Sequence, residues 1–89
     1  MNTAKITKTL VNDELQHAAC YEVSPPIVDD DDRFNFVYVS AVRNPFGLET
    51  MVFLTSDAEA SEVDWTGLVS LKEFDHSKAL AELGYTIAE

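Results

Sequence analysis

The sequence predicts an α+β fold: a small three- or four-stranded antiparallel sheet with a short C-terminal helix packed on one face. Two observations carry this expectation. Residues 34–42, "FNFVYVSAV", and 48–56, "LETMVFLTS", are β-branched and aromatic runs free of Gly and Pro, with turn residues between them. Residues 75–83 carry a helical apolar stripe between a capping residue, Asp75 or Ser77, and a glycine. A helix of about two turns is not stable alone, so it must lie on the sheet. With 89 residues the chain is read as one domain, 1–89.

The elements follow in order. Residues 4–11, "AKITKTLV", read as a strand, with Asn12-Asp13 as a tight turn. Residues 16–24 read as a second strand that ends at Pro25-Pro26, because proline lacks the N–H that pairing needs. A rival reading runs a helix from Asp13, as N-cap, to Cys20; local pattern does not separate the two. In residues 34–42, Phe34, Phe36, Tyr38 and Val42 share one face and Val37, Val39 and Ala41 the other. Both faces are largely apolar, which marks a central strand. The segment 43–48, "RNPFGL", is a hairpin loop, since Asn44-Pro45 and Gly47 are turn residues. In 48–56, Leu48, Val52 and Leu54 oppose Glu49, Met51 and Phe53. Residues 56–65 read as an acidic loop. Trp65, Leu68 and Val69 have helix spacing and predict one short turn capped by Asp64, with Trp65 packed in the core. The helix then spans 75–83, with Gly84 at its C′ position, and Tyr85 to Ile87 run on as an extended tail.

The hydrophobic fraction of 46% is that of a folded globular chain and not a disordered one. No apolar run approaches the roughly 20 residues that span a bilayer. Lys8, Asn12, Asp13 and Glu14 interrupt any signal-peptide core near the N-terminus. The single cysteine, Cys20, permits no intrachain disulfide and suits a reducing compartment. The expected location is cytoplasmic.

Charge is the outstanding property. Sixteen acids against six bases leave a net charge of −10. Such a field disfavours direct binding to nucleic acid or to an anionic membrane and favours a basic partner. The acids fall in two groups. Asp29, Asp30, Asp31 and Asp32 stand in a row before the central strand; Asp57, Glu59, Glu62 and Asp64 follow the next one. In an antiparallel meander the two connections leave the same end of the sheet, which would gather up to eight carboxylates at one edge. Burying four adjacent carboxylates without partners costs several kcal/mol each, so the Asp row must be solvated and projecting.

Three uses of such an array compete. A calcium loop needs acids at positions 1, 3 and 5, Gly at 6 and Glu at 12. Starting at Asp57, position 6 is Glu62 and position 12 is Leu68; starting at Asp29, position 6 is Phe34. Neither fits, so no metal site is expected; the metal reading that stays open is an acidic housekeeping protein whose Asp run binds divalent ions weakly and incidentally. Solubility and protection of a strand from edge pairing is the plainest use. The third is recognition: a row of carboxylates resembles the charge ladder of a nucleic acid and can occupy a basic groove. Phe46, at the opposite hairpin tip, and Trp65 are candidate apolar anchors for such a partner; core packing is the competing reading of each and the favoured one for Trp65.

Catalytic signatures are missing. His17 and Cys20 point to opposite faces if their segment is a strand, and no third group orients them. There is no Gly-rich phosphate loop, C-x-x-C or H-E-x-x-H, and no cofactor is expected. The chain is read as a non-enzyme.

The segments "ETMVFLTSDAEASEVDWTGL" and "DHSKALAELGY" resemble small accessory proteins of phages and mobile elements. The likeness rests on Glu49, Thr50, Val52, Phe53, Asp64, Trp65, Asp75, His76, Ala79, Leu80, Gly84 and Tyr85. Such proteins include anti-CRISPR proteins and other acidic inhibitors that mimic nucleic acid. The resemblance implies an inhibitor of a basic nucleic-acid-binding protein, acting in the host cytoplasm. The alternative is a phage-type adaptor or assembly protein that binds through an apolar patch, as a homodimer or otherwise.

Overall fold

The computed structural model describes residues 2–29 and 31–88, the side chain of Thr66 apart. The chain runs β1 (Thr3–Asn12), β2 (Gln16–Asp29), β3 (Asp32–Asn44), β4 (Gly47–Thr55), β5 (Val63–Leu71), α1 (His76–Glu82) and β6 (Thr86–Ala88). All six strands join one sheet in the order β5-β4-β3-β2-β1-β6. The expected sheet of three or four antiparallel strands is therefore corrected. The sheet is larger, and it is mixed, because β6 pairs with β1 in parallel.

Each connection has a local cause. Between β1 and β2 the Asp13 carboxylate accepts from Leu15 N at 2.8 Å and Gln16 N at 2.9 Å. The same residue weighed as a helix cap thus shapes a hairpin turn instead. Between β3 and β4, Asn44 Oδ1 accepts from Phe46 N at 2.8 Å, and Gly47 takes φ +134°, which suits a residue without Cβ. Strand β2 does not stop at Pro25-Pro26. Its register to β3 jumps from Glu22↔Phe36 to Ile27↔Phe34, so residues 23–26 stand opposite Asn35 alone. The prolines lie in this bulge, where no ladder N–H is required. Beyond it the strand resumes as far as Asp29.

The segment expected as a helical turn is β5. Val52 pairs with Val69 and Leu54 with Asp64, leaving 65–68 opposite Phe53. The helix-like spacing of Trp65, Leu68 and Val69 reflects this bulge. Trp65 is 67% exposed, not buried in the core.

One face of the sheet is covered. There Ala19, Tyr21, Val37, Val39, Val52 and Leu54 meet Ala79 and Leu80 of α1 and Tyr85 just beyond it. The helix starts where Asp75 Oδ1 accepts from Lys78 N at 3.1 Å, so that of the two expected caps Asp75 serves and Ser77 does not, and ends at Leu83 with Gly84 at φ +88°. A buried Thr50 hydroxyl ties β4 to this helix by donating to Glu73 O and accepting from Asp75 N. Thr86 N donates to Asn2 O at 3.0 Å as the chain enters β6. No helix among the described residues is long and apolar enough to cross a membrane.

Candidate functional site

The Asp row forms the tip of the β2–β3 hairpin, with Asp29 paired to Asp32. Asp30 lies outside the described residues. Asp29, Asp31 and Asp32 are exposed, and no ion pair among the described residues engages them. Phe36 pairs with the last residue of β4, Thr55, so β3 begins four residues beyond that end. At about 3.3 Å per residue the tip overhangs β4 by ~13 Å. Val28, beside the tip, is 62% exposed and puts an apolar side chain next to the charges.

The second acidic group leaves the same end of the sheet but does not join the first. Its loop folds back over the sheet. Asp57 O accepts from Cys20 Sγ at 3.4 Å, and Thr7 Oγ1–H reaches Ala58 O at 2.9 Å. Cys20 pairs with Tyr38, six residues from Asp32 along β3, or ~20 Å by the same rise. The Asp57 carboxylate is engaged by its own loop. It accepts from Glu59 N at 3.1 Å, Ser61 N at 2.9 Å and Ser61 Oγ, and these bonds hold its pKa below the usual carboxylate value. Asp57 therefore builds the loop rather than presenting charge. Glu59 faces Lys8 at 3.9 Å. Glu62 is exposed, and its carbonyl accepts from Ser56 N and Thr55 Oγ1. Asp64, also exposed, sits in β5 opposite Leu54. The continuous edge of eight carboxylates is thus not formed, although Glu62, next to the Val63–Thr55 pair, stays exposed at the sheet end from which the hairpin tip projects.

Phe46 is 99% exposed at the β3–β4 turn. It stands at the far end of β3 from Asp32, in a molecule whose longest dimension is 38 Å. It does not share a surface with the Asp tip.

The other face of the sheet holds a feature that sequence reading missed. Beyond the loop over Cys20 it is uncovered, and a groove of about 290 Å³ runs across it. Three aromatic rings form its wall: Trp65 meets Phe53 at 5.2 Å and Tyr38 at 5.8 Å, both edge to face, and Tyr38 lies 6.0 Å from Phe53. The β5 bulge brings Trp65 here; Gly67 within it packs on the flexible end of Met51, whose Cε would lie 2.9 Å from an added Cβ and would have to swing aside. Polar groups complete the lining. Gln16 Nε2 donates to Ser40 Oγ at 3.2 Å, and Glu49 accepts from Lys72 Nζ at 3.3 Å. One signal was present in the sequence. Glu49 alternates with Met51 and Phe53 on one face of β4, and a carboxylate there argues that the face is not sealed.

Under the helix lies a polar network of a different kind. His76 Nε2–H donates to His17 O at 2.7 Å, so its Nδ1 accepts from the Tyr21 hydroxyl at 3.0 Å. The His17 ring stacks on it at 4.1 Å. Burial pushes the His76 pKa below its ordinary 6.5 and pushes the Tyr21 hydroxyl up. The folded state holds His76 neutral, while the unfolded chain takes up a proton near pH 6.5. Its contribution to stability is therefore complete above that pH and is lost as pH falls below it. Urea midpoints measured at about pH 7.5 and 5 should drop further for the wild type than for His76→Gln. Comparing the two cancels the relief of carboxylate repulsion common to both. Equal drops would show that His76 is not held neutral.

Cys20 and His17 lie on opposite faces and make no pair, and burial pushes the Cys20 thiol pKa up, away from a reactive thiolate. Among the described residues no three His, Cys, Asp or Glu side chains come together as a metal-ligand set. No family model, no curated protein and no solved structure matches this chain.

Proposed function

We propose that this protein is a small acidic, non-enzymatic inhibitor that binds the basic surface of a nucleic-acid-binding protein by presenting carboxylates in place of phosphates. The observation that carries this reading is the Asp29–Asp32 hairpin tip. It overhangs the sheet, its described carboxylates are exposed, and no described cation pairs with them. A net charge of −10 adds long-range attraction for a basic partner and repels nucleic acid itself. Val28 supplies apolar contact beside the charges, where the far-off Phe46 does not. The support is narrower than eight carboxylates would supply, since Asp57 is held by its own loop and Glu59, though its side chain is 74% exposed, faces Lys8 at 3.9 Å.

Competition tests the reading. Proteins captured from a host lysate on the immobilised chain should be nucleic-acid-binding and should be released by duplex DNA, because both ligands would occupy one basic groove. Capture that excess DNA leaves untouched would contradict the proposal.

The uncovered aromatic groove favours a second reading, an adaptor or assembly protein held through an apolar patch. Binding through such a patch responds little to salt. The two readings therefore separate in the same capture experiment once salt is raised.

A further inference from the structure

We propose that the groove on the uncovered face is a subsite for one arginine side chain of the basic partner. The inference rests on the reading of this chain as a ligand for a basic protein, and it names a second point of attachment. Its size permits this: about 290 Å³, near the lower end of the roughly 300–1,000 Å³ of small-molecule sites, has room for a single long side chain. Its chemistry is specific. The wall of Trp65, Tyr38 and Phe53 offers π-faces, and Trp65 is largely in water, so a cation can approach it. Glu49 supplies a carboxylate in the same lining, and Ser40 and Gln16 supply neutral acceptors. A planar guanidinium can lie flat on a ring while making two parallel hydrogen bonds to a carboxylate; an ammonium can also sit over the ring and donate, but only as a compact, more strongly hydrated point charge.

The site already holds a cation of its own chain. Lys72 Nζ lies 3.3 Å from Glu49, yet its side chain is 85% exposed and so is easily displaced. This pair makes an unusual forecast. Removing Lys72 should tighten binding of an arginine ligand more than removing Lys5, which raises the net negative charge equally but lies on β1, three strands from β4.

The chain has a single tryptophan, Trp65, so its fluorescence reports on this groove alone. The probe is an oligo-arginine peptide titrated into the full chain, with oligo-lysine as the control. Oligo-arginine should change Trp65 emission saturably, and oligo-lysine should change it much less. Glu49→Gln should weaken the arginine interaction at least about fivefold, and Lys72→Ala should strengthen it about two- to threefold. Circular dichroism of each variant checks that the fold is kept. The Trp65 response should persist when Asp29, Asp31 and Asp32 are replaced by Asn, which separates the groove from the hairpin tip. Calorimetric binding with Trp65 emission unchanged, and with Glu49→Gln equal to wild type, would overturn the groove proposal and leave the hairpin reading standing. A dimer in sedimentation with Trp65 already shielded would overturn it too, because a second copy would then fill the groove.

Discussion

Replacing Leu80 with alanine is expected to destabilise the protein by about 2–5 kcal/mol. Leu80 is fully buried in the cluster that joins α1 to β3 and β4, so truncation leaves a cavity between helix and sheet. A domain of this size has a total stability of roughly 5–15 kcal/mol, so the loss is a large share of it. The helix has seven residues and cannot stand without this contact. Its detachment would also free the end of the chain that carries β6. Chemical denaturation should show a lower midpoint for Leu80→Ala, while Leu80→Met, which conserves volume, should cost under about 1.5 kcal/mol. Phe46→Ala serves as the control: its ring is in solvent, and the change should stay within about 0.5 kcal/mol. A Leu80→Ala midpoint equal to wild type would mean that α1 does not hold the sheet.

Replacing Asp29, Asp31 and Asp32 together with asparagine is expected to lower affinity for the basic partner at least about tenfold at low salt, or ~1.4 kcal/mol. The same variant should fold, with its thermal midpoint unchanged or raised. Three fewer like charges at one tip reduce repulsion, and no described ion pair is broken by the change. Opposite signs in binding and stability would distinguish a recognition surface from a structural one. The parallel replacement of Asp57 should act the other way, because its carboxylate organises the loop over Cys20 through three hydrogen bonds. It should loosen the fold and affect binding little.

The contrast between those two aspartates shows how far the sequence could be read. Asp29, Asp31 and Asp32 were legible as projecting charge, because adjacent carboxylates cannot be buried together. Asp57 looked the same in sequence, but its neighbour Ser61 and the local N–H groups captured it. The β3–β4 hairpin was legible from Asn44, Pro45 and Gly47, whose turn chemistry is local, and the helix from Asp75 and Gly84, whose capping is local too. Three features were hidden because their causes lie elsewhere in the chain. The β2 extension past Pro25-Pro26 needs a bulge opposite Asn35. Strand β5 imitates helix spacing because 65–68 bulge over Phe53. Strand β6 is three residues long and exists only because β1 offers an edge to it. The groove was missed for the same reason, since Trp65 reaches Tyr38 and Phe53 only through that bulge.

The most direct test of the charge-recognition proposal is the affinity of wild type and the Asp29/Asp31/Asp32→Asn variant for a captured partner at about 50 and 300 mM salt. Wild-type affinity should fall at least about tenfold over that range, and the variant should start weaker and fall much less. Equal affinities for the two proteins, flat across salt, would contradict recognition through the acidic hairpin.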